Sequence, residues 1–170
     1  MKVVHLVDVV QALEGAKVRY LVVGGLAVNV HGYLRYTNDI DLVIELNREN
    51  VLRGLNALAT LGYRPKHPVS AEQFADAQLR EKWIVEKGML VFPLWCDRRM
   101  ETPIDVFVRE PFDFDAEWQA AVQAEVSEGI VAPFVRLSTL FALKEKAGRP
   151  QDLADIDRLR AVHQEDKGRG

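Results

Sequence analysis

Cysteine is nearly absent from the sequence, since Cys96 is the only one among 170 residues. A lone cysteine cannot form an internal disulfide, and it does not offer the ligand spacing of a zinc site. Disulfide-stapled secreted proteins and cysteine-based zinc modules are therefore excluded, and a reducing compartment is favoured. A chain of this length can bury about 70% of its unfolded surface without such staples.

Long apolar runs are also missing. The first segment of the chain is interrupted by His5, Asp8 and Glu14, so it lacks the apolar core of a signal peptide. No stretch approaches the roughly 18 uninterrupted apolar residues of a membrane helix. We therefore expect a soluble, cytoplasmic protein that has no membrane partner.

An excess of positive charge is absent as well, because 22 basic residues stand against 25 acidic ones and the formal net charge is −3. Such a chain has no overall basic field that would hold nucleic acid, although a local basic patch is compatible with this value. An acidic protein can still bind a nucleotide when a metal ion supplies the positive charge.

The hydrophobic pattern alternates between helical and strand-like segments along the chain. Strands are predicted at residues 20–23, 39–46, 89–95, 103–108 and 130–135. Helices are predicted at residues 3–13, 26–33, 48–61, 70–82, 115–122 and 138–147, and again from Pro150 onwards. Pro133 suggests that the last strand lies at a sheet edge. The mixture predicts one domain of the α/β or α+β class over residues 1–170, with a helical C-terminal part at about residues 138–165.

Two aspartates stand two positions apart in the predicted strand 39–46. Because side chains alternate between the faces of a strand, Asp39 and Asp41 share one face, while Ile40 and Leu42 point the other way. The strand rise places the two Cα atoms about 7 Å apart, so both carboxylates can reach one cation. Such hard oxygen ligands suit Mg²⁺ or Mn²⁺. Taken alone, the pair is also what an exposed edge strand would show.

A third acid, Asp105, lies in the predicted strand 103–108, on the face opposite to Ile104 and Val106. If this strand pairs beside the first, Asp105 completes a cluster of three carboxylates. Such a cluster can hold two metal ions about 3.5–4 Å apart for phosphoryl transfer. In isolation, Asp105 would be read as a turn or edge aspartate.

A pair of glycines, Gly24 and Gly25, ends the predicted strand 20–23 and opens a helix. Two glycines let the backbone turn tightly and approach a phosphate without an intervening Cβ. The N–H groups at a helix start then face the anion. A plain turn is the alternative meaning of the pair.

The order of these features resembles the nucleotidyltransferase superfamily. Its pattern is a hydrophobic residue before Gly-Gly or Gly-Ser, then an aspartate, a hydrophobic residue and a second acid, then a third carboxylate downstream. The 13 residues between Gly25 and Asp39 fit the spacing of that pattern. The closer likeness is to small prokaryotic proteins that include the AbiEii-like toxins and minimal nucleotidyltransferases, and it covers about residues 18–160. It is carried by Arg35-x-Thr37-x-Asp39-Ile-Asp41 and by the ending Arg149-Pro-Gln-Asp-Leu-Ala-Asp-Ile156.

The resemblance implies a nucleotidyltransferase fold, a mixed sheet flanked by helices with further helices at the C-terminus. It implies that Gly24 and Gly25 cradle the triphosphate of a nucleoside triphosphate (NTP). Asp39 and Asp41 would hold the Mg²⁺ or Mn²⁺ ions and the NTP phosphates. Asp105 would help to bind the catalytic metal and could deprotonate the attacking hydroxyl.

Three further residues are candidates for the nucleotide site. Lys144 would approach the phosphates; it shares a helix face with Leu140, from which it could equally snorkel to solvent. Arg35 could bind a phosphate or form a structural ion pair, and we favour the ion pair. Thr37 is expected to order the turn before Asp39.

One position departs from the pattern. Many active members of the superfamily carry a serine where this chain has Gly25, and its hydroxyl contacts phosphate. Close relatives often carry Gly-Gly, so the departure does not exclude activity. The grip on phosphate would then come from the backbone or from another part of this chain.

The function implied is transfer of a nucleoside monophosphate from an NTP to a hydroxyl, with release of pyrophosphate. The acceptor could be an RNA end such as that of tRNA, a protein side chain or a small molecule, and a toxin role is one version. The alternative is a binding module with little turnover: an antitoxin, a partner subunit or a nucleotide sensor. A purely structural domain with surface acids is the third interpretation.

Overall fold

The computed structural model describes residues 3–167. Its elements follow in the order α1 (Val3–Gly15), β1 (Tyr20–Val22), α2 (Gly24–Val30), β2 (Ile40–Ile44), α3 (Arg48–Thr60), β3 (Arg64–Pro65), α4 (Ala71–Ala75), α5 (Ala77–Lys87), β4 (Val91–Trp95), β5 (Ile104–Phe107), α6 (Phe114–Gln119), β6 (Val122–Ser127), β7 (Ile130–Phe134), α7 (Leu137–Ala147) and α8 (Pro150–Lys167). None of the helices in this part of the chain combines the length and the hydropathy that a bilayer crossing requires.

The strands between residues 3 and 167 form one seven-stranded sheet in the order β3-β4-β5-β2-β1-β7-β6. The sheet is mixed: β5 runs parallel to β2 and β7 parallel to β1, while the other neighbouring pairs are antiparallel. The central strands β1 and β2 are largely apolar and buried, and α2 and α3 contact β2. The expected mixed α/β sheet flanked by helices is confirmed.

Local sequence signals set several helix boundaries. The side chain of Asn47 accepts a hydrogen bond from the Asn50 N–H and so caps α3. Ser70 and Gln73 form a reciprocal capping box at the start of α4. Gly148 adopts the left-handed conformation (φ +63°) that ends α7. These boundaries agree with the sequence prediction.

Two predicted helices were wrong in extent. The helix expected over residues 70–82 is divided at Asp76, whose side chain accepts from two N–H groups of the following turn and caps a new helix, α5. The helix expected over residues 115–122 begins after the cap Asp113 and ends at Gln119, and β6 follows soon after. In both places a short polar side chain bonds to the backbone and sets a boundary that the hydrophobic pattern does not show.

The predicted edge position of the strand 130–135 was also wrong. This strand, β7, lies between β1 and β6, and Pro133 stands opposite Gln123 of β6. On its other side β7 meets β1 only near its end, where Val22 stands opposite Phe134. Most of the β1-facing edge of β7 therefore makes no ladder bonds to β1, and a proline without an N–H is tolerated there.

Candidate metal and nucleotide site

The pairing of β2 with β5 brings three carboxylates together. Asp41 stands directly opposite Asp105 in the parallel register, and Asp39 immediately precedes β2. One oxygen from each of Asp39, Asp41 and Asp105 lies within 4.8 Å of the others. Asp41 is the partly exposed residue of β2, whose other four residues are buried. The three acids found in the sequence therefore form one cluster, open on one side.

The cluster is electrostatically strained. Burial, followed by the charges of Asp39 and Asp105, raises the pKa of Asp41 from 3.8 to about 7. Burial and the charge of Asp39 also raise the pKa of Asp105. A divalent cation would relieve this repulsion, and three carboxylate oxygens are the hard ligands that Mg²⁺ and Mn²⁺ prefer. The donor set thus fits the metal that the sequence implied.

Removing one of these charges is expected to stabilise the metal-free protein. In a chelating buffer above pH 7, Asp41→Asn should raise the free energy of unfolding by about 2 kcal/mol. A rise in pKa from 3.8 to about 7 corresponds to about 4 kcal/mol. The expected gain is smaller because the amide of asparagine must still be buried. In the wild type, the pKa of Asp41 in the folded chain lies above the unfolded value of 3.8. The stability of the wild type therefore falls as the pH rises from about 4 to 7. The gain in the variant should therefore vanish below about pH 4 in urea titrations. A gain independent of pH would contradict this explanation.

Gly24 lies against the Asp41 carboxylate. It has a φ of +63°, and a Cβ at this position would stand 2.7 Å from Cγ of Asp41 and closer still to Oδ2. The N–H of the preceding Val23 donates to the Asp41 carbonyl oxygen at 3.0 Å. The turn between β1 and α2 is therefore fitted to β2, and only glycine leaves room for the carboxylate.

We expect Gly24→Ala to displace Asp41 and to abolish metal-dependent stabilisation. Gly88→Ala is the matched control, because Gly88 has a φ of +60° but, within residues 3–167 and apart from its own chain neighbours, no atom lies within 4 Å of the position that its Cβ would occupy. Both variants should lose about 1 kcal/mol through the left-handed backbone alone. The difference between them in thermal melts with and without Mn²⁺ isolates the contact with Asp41. Equal metal responses would show that Asp41 does not bind the ion.

Thr37 and Gly25 meet beside Asp39. The hydroxyl of Thr37 donates to Oδ1 of Asp39 at 2.9 Å, which orients this carboxylate. A Cβ on Gly25 would lie 2.5 Å from the Thr37 hydroxyl and 3.0 Å from the Arg35 guanidinium. Gly25 therefore makes room for the loop that carries Thr37 and Asp39.

Arg35 and Lys144 form ion pairs with two buried carboxylates of α8, Asp152 and Asp155. Lys144 Nζ donates to Asp155 at 2.6 Å and to Asp152 at 3.0 Å, and all three side chains are nearly inaccessible. Arg35 Nη2 donates to Asp155 at 3.0 Å. Arg35 thus forms the ion pair that the sequence favoured, and Lys144 points inward rather than to solvent. The charge of Lys144 still reaches Asp41, where it partly opposes the rise in the carboxyl pKa.

Two cations near the cluster were not singled out for this role from the sequence. Arg149, with its side chain 77% exposed, donates to Asp152 at 2.7 Å, and its charge partly opposes the rise in the pKa of Asp41. Lys66, which follows β3, partly opposes the rise in the pKa of Asp105. The position of Arg149 between a helix-ending glycine and Pro150 was a usable signal. Lys66 offered none, because its location depends on a two-residue strand.

Comparisons with known proteins agree with this architecture. No protein-family model and no curated protein matches the sequence. Among solved structures, the lincosamide antibiotic adenylyltransferase LnuA with lincomycin bound shares 15% identity, over 88% of this chain and 90% of that one, with a TM-score of 0.57. TM1012 of Thermotoga maritima, provisionally assigned as a nucleotidyltransferase, shares 16% identity over 94% and 91%, with a TM-score of 0.55. The chain therefore has the nucleotidyltransferase fold.

Proposed function

We propose that the protein is a metal-dependent nucleotidyltransferase, which moves a nucleoside monophosphate from an NTP to a hydroxyl acceptor. The observation that carries the proposal is the meeting of Asp39, Asp41 and Asp105 within 4.8 Å on β2 and β5. The fitted glycine at position 24 supports it, because it leaves backbone rather than a side chain beside the cluster.

The three acids divide between two tasks in this reaction. When bound, Mg²⁺ or Mn²⁺ neutralises charge on the phosphate oxygens during in-line displacement. Asp39 and Asp41 would hold the ions, and the hydroxyl of Thr37 orients the Asp39 carboxylate by donating a hydrogen bond to it. The acceptor oxygen bonds to the α-phosphorus, the bond to the β-phosphate breaks, and pyrophosphate leaves. Asp105, whose pKa is raised by burial and by Asp39, takes the proton of the acceptor hydroxyl.

A buried and an exposed cation near the acids have different roles towards the phosphates. Lys144 donates to two carboxylates of α8, so this residue acts on the triphosphate through its field and through Asp152. Arg149 is mostly exposed and is held by Asp152 next to the acids. We assign the direct phosphate contact to Arg149. Arg35 stabilises the loop that carries Thr37 and Asp39 through its hydrogen bond to Asp155.

The acceptor of the reaction and the biological role are also part of this proposal. The likeness to AbiEii-like toxins supports a version in which the acceptor is an RNA end, as in a toxin directed at tRNA. A catalytically weak module serving a partner protein is the alternative, and the complete set of three acids argues against it. LnuA acts on a lincosamide antibiotic, but at 15% identity this likeness supports the fold and not that acceptor.

A thermal melt with Mg²⁺ or Mn²⁺ and each NTP tests the proposal. A ligand that binds only the folded chain, at a hundred times its dissociation constant, adds about 2.7 kcal/mol of stability. We expect a shift that needs both the metal and the nucleotide and that disappears with a chelator. The absence of a shift with every NTP at millimolar concentration would overturn the proposal.

A further inference from the structure

The sheet face that carries the three acids continues beyond them. Asp105 stands opposite Pro93 of β4, and the N–H of Lys66 donates to the Pro93 carbonyl oxygen at 3.0 Å. Residues directly opposite each other on neighbouring strands project from the same face. Asp41, Asp105, Pro93 and Lys66 therefore form one row across the sheet.

A second row runs beside it. Trp95 lies two residues beyond Pro93 and so shares its face, and it stands opposite Arg64 of β3. The Arg64 guanidinium lies 4.5 Å from the centroid of the Trp95 ring. By the geometry of diagonal neighbours in a sheet, the Cα atoms of Trp95 and Asp105 are about 7–8 Å apart.

The two faces of β4 differ in their surroundings. Phe92 and Leu94 are buried, and Phe92 stacks on Phe74 of α4 and Trp83 of α5. On the other face, Pro93 is partly exposed and Trp95 is 38% exposed. An accessible surface next to Asp105, here called the β3–β4 platform, is thus formed by Arg64, Lys66, Pro93 and Trp95.

The charge of the platform selects among acceptors. Lys66 is exposed, and its charge reaches Asp105. Arg64 is shared between the Trp95 ring and Asp97, its ion-pair partner at 2.6 Å. An exposed indole ring on one surface with two basic residues favours a ligand that has a planar ring and a negative charge. A polycationic amino sugar would meet repulsion from the unneutralised charge of a cation such as Lys66.

We propose that the β3–β4 platform binds the acceptor, and that the acceptor is a ribonucleotide, free or at the 3′ end of an RNA. Its base lies on Trp95, its phosphate near Lys66 and its ribose hydroxyl towards Asp105. The inference rests on the proposed function, and the transfer is the same: the ribose oxygen bonds to the α-phosphorus, pyrophosphate leaves, and the hydroxyl proton goes to Asp105.

Fluorescence anisotropy with a 5′-labelled single-stranded RNA hexamer in Mg²⁺ tests the site. We expect Trp95→Leu to weaken binding roughly 5- to 150-fold, the range for the loss of one stacked base. Lys66→Gln should weaken it less, with a smaller salt dependence. Lys82→Gln is the matched control, because Lys82 is an exposed lysine of α5, the helix on the opposite face of β4. Competition by unlabelled AMP distinguishes a free nucleotide, which displaces the RNA, from an RNA end, which AMP does not displace.

The melt with NTP and metal, run on the same variants, separates the two proposals. A retained NTP shift together with Trp95-dependent RNA binding supports both. If the NTP shift is retained but the wild type, Trp95→Leu and Lys66→Gln bind RNA with equal affinity, only the proposal for the β3–β4 platform is overturned. Equal losses in Lys66→Gln and Lys82→Gln would show only general charge attraction and would also overturn it. If the wild type itself shows no melting shift with NTP and metal, the result would instead count against the proposed function.

Discussion

Asparagine at positions 39 and 41 is expected to reduce nucleotidyl transfer at least about 100-fold while the chain stays folded. Loss of a partner outside the ligand shell typically costs about 10–100-fold in metal affinity or activity, so loss of two ligands should exceed that range. The measurement is transfer of label from an α-labelled NTP to RNA or protein acceptors in Mn²⁺. Circular dichroism would show that the double variant retains its fold.

The control for this prediction is Asp157→Asn. Asp157 is an exposed aspartate on α8, so the substitution removes a carboxylate without touching the cluster. It should leave the transfer rate within about twofold of the wild type, as expected for a surface change. Activity of the double variant comparable with that of the control would remove Asp39 and Asp41 from the catalytic role.

The second large effect is expected in the buried network of α8. Asp155→Ala should lower the free energy of unfolding by about 3 kcal/mol, because it removes one of the two carboxylates that compensate the buried charge of Lys144. Asp155 is 1% exposed and is the partner of both Lys144 and Arg35. Urea denaturation followed by fluorescence would measure the change. The same variant should weaken metal binding, since Arg35 lies in the loop that presents Thr37 and Asp39.

A surface pair on the same two helices provides the comparison. Arg160 and Glu145 form an ion pair at 3.1 Å between side chains that are both more than half exposed. Glu145→Gln should therefore cost less than about 1 kcal/mol. If Asp155→Ala cost no more than Glu145→Gln, burial of the Lys144 charge would not contribute as we describe.

The parts of the fold that depend on neighbouring residues could be predicted from the sequence. Asn47, Ser70 with Gln73, and Gly148 each act within one turn of the chain, so their effects are visible in a short window. Alternation likewise placed Asp41 on one face of β2. Its clustering with Asp105 needed one additional condition, the pairing of two strands far apart in the sequence.

The remaining features depend on contacts between distant segments. β3 has only two residues, and it exists because Arg64 and Pro65 pair with β4. No periodicity can reveal so short a strand, and the proximity of Lys66 to Asp105 follows from it. The sequence prediction also missed the strand β6. The side chains of β6 alternate between partly buried and exposed, so its sequence resembles the polar end of a helix.

The crowding around Gly25 makes residues 25 and 37 steric alternatives. The space that a serine side chain would need at position 25 is filled by the Thr37 hydroxyl, 2.5 Å from the position of its Cβ. A hydroxyl can therefore enter this corner from one of the two segments but not from both. Variation at these positions should consequently be correlated, so that serine at position 25 is accompanied by a smaller residue at position 37. In this chain the hydroxyl beside the Asp39 carboxylate comes from Thr37, in the loop before β2, and not from the glycine turn.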